Sequence, residues 1–390
     1  MIFAKAYLGT QQLSDWVRPS GWLPLPSVAE GAVGLLRVNN DEANFLCMRV
    51  SGAHTIDWGD GTVENYATNT LSYHTYTYSA IPTTGEAVLG YRQVIIKITP
   101  QAGQHITQLD FNNKHNTAGL ASGYPTGWLD LQLVTPNIGQ LSIGGGSVWH
   151  MYLQQCKISS LGTVANLAQL FYGCVSLQSV SFVCAVNPTD TSGMFNGCLA
   201  LRHVPFFNTI NVTTFVTMFN GCASLLEVPA FDTPHVTSMR QAFYGCQSLT
   251  SLPSLNTVNV NDMYGAFQNC TRLESSPPMS TPLVTNAQGM FQNCASLRAI
   301  PAFDLSAIIL PANLVNTFGS LNALVSCAVT GINQSVSFKD CKLSATALNT
   351  IFTNLSATGT GKTITVTGNY GAATCDTSIA TAKGWTVVII

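Results

Sequence analysis

The sequence predicts a mainly β protein with short helices, in which a β-sandwich precedes a solenoid of 24-residue coils and a helix–strand cap. Three observations support this: a strict 24-residue period, short strand-like runs before it, and one amphipathic segment after it. A fixed period of this length is typical of a solenoid, whose units bury their apolar faces only against their neighbours. The expected regions are an arm at 1–30, a sandwich at 31–100, the solenoid at 101–320 and capping repeats at 321–390.

The period is most regular between about residues 170 and 305, where Cys, Phe, Leu, Pro and Val each form a column. The cysteine column consists of Cys174, Cys198, Cys222, Cys246, Cys270 and Cys294. Stacked side chains point in parallel and are poorly placed to form disulfides, so we expect a structural ladder of reduced, buried thiols. A metal site is the alternative, but the column has no CxxC and no histidine partner. Neither a cofactor nor a metal is expected.

Each coil is predicted to contain a short helix, a cap, a strand and a loop. The apolar residues of 236–243 follow the spacing of one helix face, and Thr233 and Thr281, each followed by proline, are predicted N-caps. The Gly or Asn before each ladder cysteine suits a left-handed C-cap. The "CxSLxxVP" segment that follows is predicted to be the strand.

The N-terminal region combines an arm with strand-like runs. In the arm, "DWVRPSGWLPLPSV" displays aromatic and aliphatic residues between prolines, so it needs a surface to dock on. Two alternatives stay open, packing on its own next domain or anchoring onto another subunit. The candidate anchoring residues are Trp16, Arg18, Trp22, Leu23 and Leu25. "VGLLRV", "NFLCMRV", "HTIDW", "SYHTYTY" and "QVIIKIT" are predicted strands.

The segment "WGDGT", residues 58–62, followed by "HTY" at 74–76, resembles the PKD-type immunoglobulin-like sandwich. A calcium site at Asp57 and Asp60 is the alternative interpretation of this segment. Because too few other oxygen ligands lie nearby, we expect these aspartates to close a β-turn instead. Residues 101–170 are predicted to be atypical early repeats. At the other end, "LSATALNTIFTNL" is predicted to be a helix capped by Ser344, and "KTITVTGN" a strand.

The repeat "MFxGCxSLxxVPxFDTxxVTxM" resembles BspA-type leucine-rich repeats of surface proteins. The closing segment is similar to that of repeat proteins in tailed bacteriophages, as is the order of arm, "WGDGT" sandwich and repeats. This resemblance implies a structural or adhesive protein of the virion, assembled in the host cytoplasm and exposed on the particle. It also implies contact with other virion proteins of the tail, collar or capsid.

The amino-acid composition argues against nucleic acids and membranes as binding partners of the chain. Only 9% of the 390 residues are charged and the net charge is −2, which gives no attraction for nucleic acid or an acidic membrane surface. No apolar run of about 18 residues suggests membrane insertion. The N-terminus lacks the basic start and apolar core of a secretory signal, so we expect export by another route, such as lysis.

The repeats are not predicted to be catalytic. Asp232 and Asp304 share a turn column with Asn208, Asn256 and Ser280, and no hydrolase or nucleotide-binding motif is present. Binding is favoured, because exposed Tyr and Arg are frequent interface anchors. The alternative is that these side chains only solvate the surface. The candidate ligand contacts are Arg202, His203, Arg240, Tyr244, Tyr264 and Arg298.

Three functions follow from these features. The first is a non-enzymatic phage virion protein, attached by its N-terminal region and presenting the solenoid to a host-surface glycan or protein. The second is a cellular BspA-type surface adhesin. The third is a glycan-cleaving tail protein whose carboxylates meet across a subunit boundary. Homo-oligomerisation stays open.

Overall fold

The computed structural model describes residues 16–40, 44–84, 86–113, 125–146 and 148–390. Within these ranges the chain is mainly β with few helices, and its repeats form coils of a β-solenoid. The chain divides into two compact units. The first comprises Met1–Pro188 with Met194–Phe207, and the second Thr189–Gly193 with Asn208–Ile390.

The described part of the first unit contains eleven strands. They are β1 (Gly31–Val38), β2 (Phe45–Ser51), β3 (His54–Asp57), β4 (Val63–Tyr66), β5 (Thr70–Thr75), β6 (Arg92–Pro100), β7 (Gln108–Asp110), β8 (Trp128–Val134), β9 (Gln140–Ser142), β10 (Gln155–Ile158) and β11 (Ser179–Phe182). A 3₁₀ turn at Tyr78–Ala80 and helix α1 (Glu86–Leu89) lie between β5 and β6. All five runs predicted to be strands between residues 31 and 100 form strands.

These strands form two sheets, with orders β11-β10-β8-β1-β6-β3-β4 and β5-β2-β7-β9. The pairs among β1, β3, β4, β6 and β8 are antiparallel, whereas β8, β10 and β11 pair in parallel. In the parallel part Asp130 pairs with Gln155, and Gln155 with Ser179, so each step along the sheet is one coil of chain. The atypical early repeats therefore supply successive parallel strands.

The second unit has short strands and two helices. They are β12 (Ala299–Ile300), β13 (Ser326–Cys327), β14 (Val336–Ser337), α2 (Ala345–Asn354), β15 (Thr363–Thr365), α3 (Ser378–Thr381) and β16 (Thr386–Val388), with a 3₁₀ turn at Pro311–Leu314. The predicted N-cap is confirmed, because Ser344 accepts a hydrogen bond from the Ala347 N–H at 3.2 Å. The strand predicted from "KTITVTGN" is also present as β15. No described helix has the length and apolar character required to cross a bilayer.

The regular coils differ from the predicted order of helix, cap and strand. Residues 236–243 form turns instead of a helix, and residues 208–298 contain only isolated β-bridges. Between residues 215 and 221 every second N–H donates to a carbonyl of the next coil, at 2.7–3.0 Å. Most of the N–H groups between them donate three residues back, within their own coil. Peptide groups that alternate in direction cannot continue a helix.

Two left-handed residues in each coil produce this alternation. One column is the predicted Gly or Asn before cysteine, with φ between 64° and 77° at all six positions, so the left-handed prediction is confirmed. The other column lies four residues earlier, with φ between 52° and 63°, and was not predicted. Its members are Gln169, Gly193, Thr217, Gln241, Gly265 and Gly289.

The predicted N-caps at Thr233 and Thr281 are wrong. Their buried hydroxyls donate to carbonyls of the next coil, those of Asn256 at 2.8 Å and Asp304 at 2.6 Å. Thr209 and Thr257, in the same column, make equivalent bonds. A buried hydroxyl requires a partner, and here the nearest one lies in the adjacent coil.

Candidate binding surface of the repeats

The interior of each unit contains stacked phenylalanine rings. In the first unit the rings of Phe171 and Phe195 are 5.4 Å apart, centroid to centroid. In the second unit consecutive rings are separated by 5.4–5.7 Å, with interplanar angles of 9–19°. Those rings belong to Phe219, Phe243, Phe267 and Phe291, and all are fully buried. Close stacking on every coil gives the outer residues a fixed backbone.

The cysteine column lies beside these rings. The twelve cysteines, all of them within the described residues, are reduced thiols, and the six ladder cysteines are completely buried. The Sγ atoms of Cys246, Cys270 and Cys294 donate to phenylalanine carbonyls of the preceding coil at 3.0–3.2 Å. Burial raises the pKa of Cys174 and Cys270 to about 12, which keeps them protonated at neutral pH. The thiols therefore act as small hydrogen-bond donors without the thiolate character that reactivity requires.

Polar side chains close the turns between the buried columns. In the predicted turn column, the Oδ1 atoms of Asn208, Asn256 and Asp304 accept the N–H two residues ahead, at 3.0–3.4 Å. A second column with the same geometry was not predicted, although Asn, Asp, Ser or Thr recurs at its 24-residue spacing. It contains Asn166, Asp190, Thr214, Ser238, Asp262 and Asn286. Three of the six acids of the regular coils, Asp190, Asp262 and Asp304, thus serve as turn residues.

Two of the predicted contact residues, Arg240 and Tyr264, come together on adjacent coils. The guanidinium carbon of Arg240 lies 3.9 Å from the Tyr264 ring centroid. Its Nη1 lies 3.6 Å from Oδ2 of Asp262, whose Oδ1 accepts the Tyr264 N–H at 2.9 Å. The Arg240 side chain is 44% exposed. This Arg240 cluster holds a cation and an aromatic ring in one orientation at the surface.

A row of planar polar side chains begins at Tyr244, four residues after Arg240 in the same coil. Tyr244, Gln268 and Gln292 occupy one column and are half-buried. The Gln268 Nε2 donates to the Gln292 Oε1 at 2.9 Å. The predicted residue Tyr244 therefore lies in a row next to the Arg240 cluster, and the two glutamines that extend the row were not predicted.

The other predicted contacts lie elsewhere on the coils. Arg202 and His203 belong to the first unit, and Arg298 is exposed in the second unit, where its N–H donates to the Glu274 carbonyl at 2.9 Å. All three follow the buried Leu column, whereas the Arg240 cluster precedes the buried Phe column. The second unit therefore presents Arg298 separately from that cluster.

The candidate anchoring residues contact the chain's own seven-stranded sheet. Trp22 is 5% exposed, packs with Leu35 and Leu129, and donates its Nε1–H to the Tyr91 hydroxyl at 3.0 Å. Trp16, Leu23 and Leu25 pack against the same cluster. Of the two alternatives for the arm, packing on its own chain is the one these contacts show.

Arg18, in the arm, forms an ion pair with this sheet. Its Nε donates to Oδ2 of the buried Asp130 at 2.9 Å, and its Nη atoms donate to the carbonyls of Trp22 and Leu23. Burial raises the pKa of Asp130, and the Arg18 guanidinium opposes that rise. Because its Nε binds the sheet and its Nη atoms bind the arm, Arg18 links the arm to the sheet.

The "WGDGT" segment forms a closed turn. The Oδ1 atoms of Asp57 and Asp60 accept the N–H groups of Gly59 and Thr62, each at 3.0 Å. The other oxygen of Asp60 lies 2.6 Å from Nε2 of His74. Although burial alone would raise it, these hydrogen bonds lower the pKa of Asp60. In the described residues no group of three or more His, Cys, Asp or Glu side chains is placed to hold a metal ion.

Comparison with known proteins identifies a family that is similar to the regular coils. Residues 165–279, and in an overlapping match 189–304, are similar to the family described as "Mycoplasma protein of unknown function, DUF285". The match covers the regular coils, and together with the β-solenoid it fits a BspA-like repeat protein. No curated protein matches the chain.

Proposed function

We propose that the chain is a non-enzymatic binding protein of a bacteriophage virion, in which the solenoid presents a contact surface to the host cell. The Arg240 cluster carries this proposal. It joins a cation and an aromatic ring on a rigid support, and such residues dominate the energetics of many protein interfaces. The buried Phe, Cys and Leu columns keep one residue type in every regular coil, whereas the outer column of this cluster varies, with Arg240 in one coil and Tyr264 in the next.

Attachment to the particle is assigned to the N-terminal region. We interpret its two sheets and the "WGDGT" turn as a PKD-like sandwich, in keeping with the His74–Asp60 contact that closes the turn. Because Arg18 and Trp22 are engaged within the chain, the anchoring residues would act by shaping the docking surface, with Trp16, Leu23 and Leu25 at its edge. We interpret the C-terminal helix–strand repeats as the cap of the solenoid.

The family match favours a second candidate, a cellular surface adhesin of the BspA type. The family is described from Mycoplasma, which is a cellular source. Both candidates predict binding by the same surface, and they differ in where the protein resides.

Immunogold electron microscopy distinguishes these two locations. Antibodies against the purified chain should decorate phage particles released from the bacterium that encodes it. Labelling confined to the bacterial envelope would replace the virion assignment with the cellular one.

Binding is tested with fluorescent purified protein and cells of the same bacterium. Arg240→Ala and Tyr264→Ala should each weaken cell binding at least tenfold, whereas Arg272→Ala, which changes an exposed arginine outside the candidate contacts, should not. Wild-type protein that does not bind these cells would contradict the adhesive function.

A further inference from the structure

The second unit has an open groove on a different part of the coils from the Arg240 cluster. Its volume is about 600 Å³, and three consecutive coils contribute equivalent residues to it. The lining residues are Ala230, Phe231 and Asp232, then Ser254, Leu255, Asn256 and Thr257, then Pro278, Met279 and Ser280. Because the same positions recur in each coil, the groove runs across the coils and not along one of them.

The repeat gives the groove a regular cross-section. In each coil an exposed residue lies on either side of a more buried middle residue, as Ser254 and Asn256 flank the buried Leu255. The flanking residues are small or polar, and the middle residues are apolar. The coils that form the groove are spaced at 5.4–5.7 Å, measured between their phenylalanine rings. A ligand lying in the groove therefore meets a similar set of groups at each step of this length.

Hydrogen-bonding groups in the groove lack partners within the described part of the chain. The backbone N–H groups of Ala230, Asp232, Ser254 and Asn256 donate no hydrogen bond there, because the backbone hydrogen bonds between coils lie on other segments, such as residues 215–221 and their equivalents. Backbone N–H groups normally find a partner, which for exposed groups is water or a ligand. The exposed side chains of Asp232 and Ser280 add acceptor and hydroxyl groups.

The charge of the groove excludes polyanions as ligands, and its direction across the coils excludes extended peptides. Asp232 is the only charged residue among those that line the groove, which therefore repels polyanions such as nucleic acids and acidic polysaccharides. An extended peptide adds to a β-structure by running alongside a strand and exchanging backbone hydrogen bonds with it. In this groove it would cross the coils, where its N–H and C=O groups would not be in register with theirs.

We propose that the groove binds a linear, neutral polysaccharide that lies across the coils. Sugar hydroxyls both donate and accept hydrogen bonds, so they match the free N–H groups and the polar side chains, and pyranose faces match the apolar floor. The spacing of the coils is close to the length of one pyranose unit in an extended chain. This inference rests on the proposed function, since it names the class of host-surface ligand that the same solenoid would bind.

The test uses the full-length chain and defined neutral hexasaccharides, namely cellohexaose, maltohexaose, laminarihexaose, mannohexaose, xylohexaose and chitohexaose. Isothermal titration calorimetry should detect binding of at least one of them, and none of heparin. Asn256→Leu, which removes an amide from the groove, and Ser254→Trp, which fills it, should each weaken that binding at least tenfold. Asn211→Leu, an exposed change outside the groove in the same unit, is the matched control and should bind as wild type does.

Other outcomes overturn the inference. Wild-type protein that binds none of the six sugars would do so, as would groove variants that bind as tightly as Asn211→Leu while circular dichroism shows them folded. Preferential binding of heparin or of an extended peptide would assign the groove to another ligand. The cell-binding assay distinguishes a failure of this inference from a failure of the proposed function. If Arg240→Ala weakens adhesion but Ser254→Trp does not, the role of the groove is refuted and the adhesive function is not.

Discussion

Individual side chains stabilise the coils by hydrogen-bonding to a neighbouring coil. The thiols of Cys198, Cys246, Cys270 and Cys294 donate one coil back, whereas the buried Thr257 hydroxyl donates one coil ahead, to the Ser280 carbonyl at 2.6 Å. A buried donor left without an acceptor costs about 1–3 kcal/mol, so these small residues are constrained by hydrogen bonding as well as by volume. The conserved column of threonines and that of cysteines thus have the same physical basis.

One buried histidine in the first unit predicts a pH dependence. His150 is 1% exposed, its Nδ1 pairs with the Thr126 hydroxyl, and burial lowers its pKa from 6.5 to about 4. The unfolded chain therefore binds this proton more tightly than the folded chain. The stability that neutral His150 contributes is complete above about pH 6.5, and it falls by about 1.4 kcal/mol per pH unit between pH 6.5 and pH 4.

Urea denaturation at a series of pH values measures this effect. His150→Gln should be less stable than wild type at pH 7 but should lose less free energy of unfolding on acidification to pH 4.5. The exposed His235→Gln should keep the wild-type slope. A His150→Gln variant with an unchanged slope would show that His150 does not remain neutral in the folded protein.

At the scale of one coil, the left-handed residues decide the path of the chain. Of the six residues that precede the ladder cysteines, Asn269 and Asn293 already have a Cβ atom, and a Cβ atom added at Gly173, Gly197 or Gly245 would meet no close atom. At these five positions the cost of a side chain is therefore conformational and not steric. In the earlier left-handed column, Thr217 adopts φ of 52°. A β-branched residue is poorly suited to this conformation, which costs an L-residue about 1–2 kcal/mol.

Replacing Thr217 should therefore stabilise the protein. Asn tolerates the left-handed region better than Thr, so Thr217→Asn should raise the free energy of unfolding by about 1 kcal/mol. Differential scanning calorimetry should show a higher Tm. The control is Thr213→Asn, because the Thr213 hydroxyl donates to the Thr189 carbonyl at 3.1 Å and its φ is not positive. That variant should be less stable, and a destabilised Thr217→Asn would contradict the interpretation of the turn.

The same elements show which features the sequence reveals. The Gly or Asn before each cysteine and the N-cap at Ser344 were predictable, because each depends on the local conformational preference of its own residue. Thr217 was not, since threonine gives no sign of a left-handed backbone. Thr233 was misread because its partner, the Asn256 carbonyl, lies in the next coil. The groove was not foreseen, because it arises from the spacing of three coils in space.

At the scale of the whole molecule, the repeats should contribute to stability nearly additively. Each coil contacts only its neighbours, so removing one complete period leaves the columns in register. Deleting residues 225–248 joins Ser224 to Leu249 and so restores the Ser–Leu sequence found at 248–249. We expect this variant to fold, with a wild-type circular dichroism spectrum and a modestly lower Tm.

Deleting half a period is the matched control. Loss of residues 225–236 joins Ser224 to Thr237 and places polar residues in the buried columns. This variant should aggregate or lose its cooperative transition. Equal stability of the two variants would mean that the coils are not held by like residues in register.

The central claim is that stacked coils enclose a ladder of reduced thiols, and cysteine alkylation followed by mass spectrometry tests it most directly. Native protein, treated with iodoacetamide without reductant, should remain unlabelled at all six ladder cysteines, and the same protein in 6 M guanidinium chloride should be labelled at all twelve cysteines. Disulfide-linked peptides from the ladder, or rapid labelling of these cysteines in the native protein, would contradict the account.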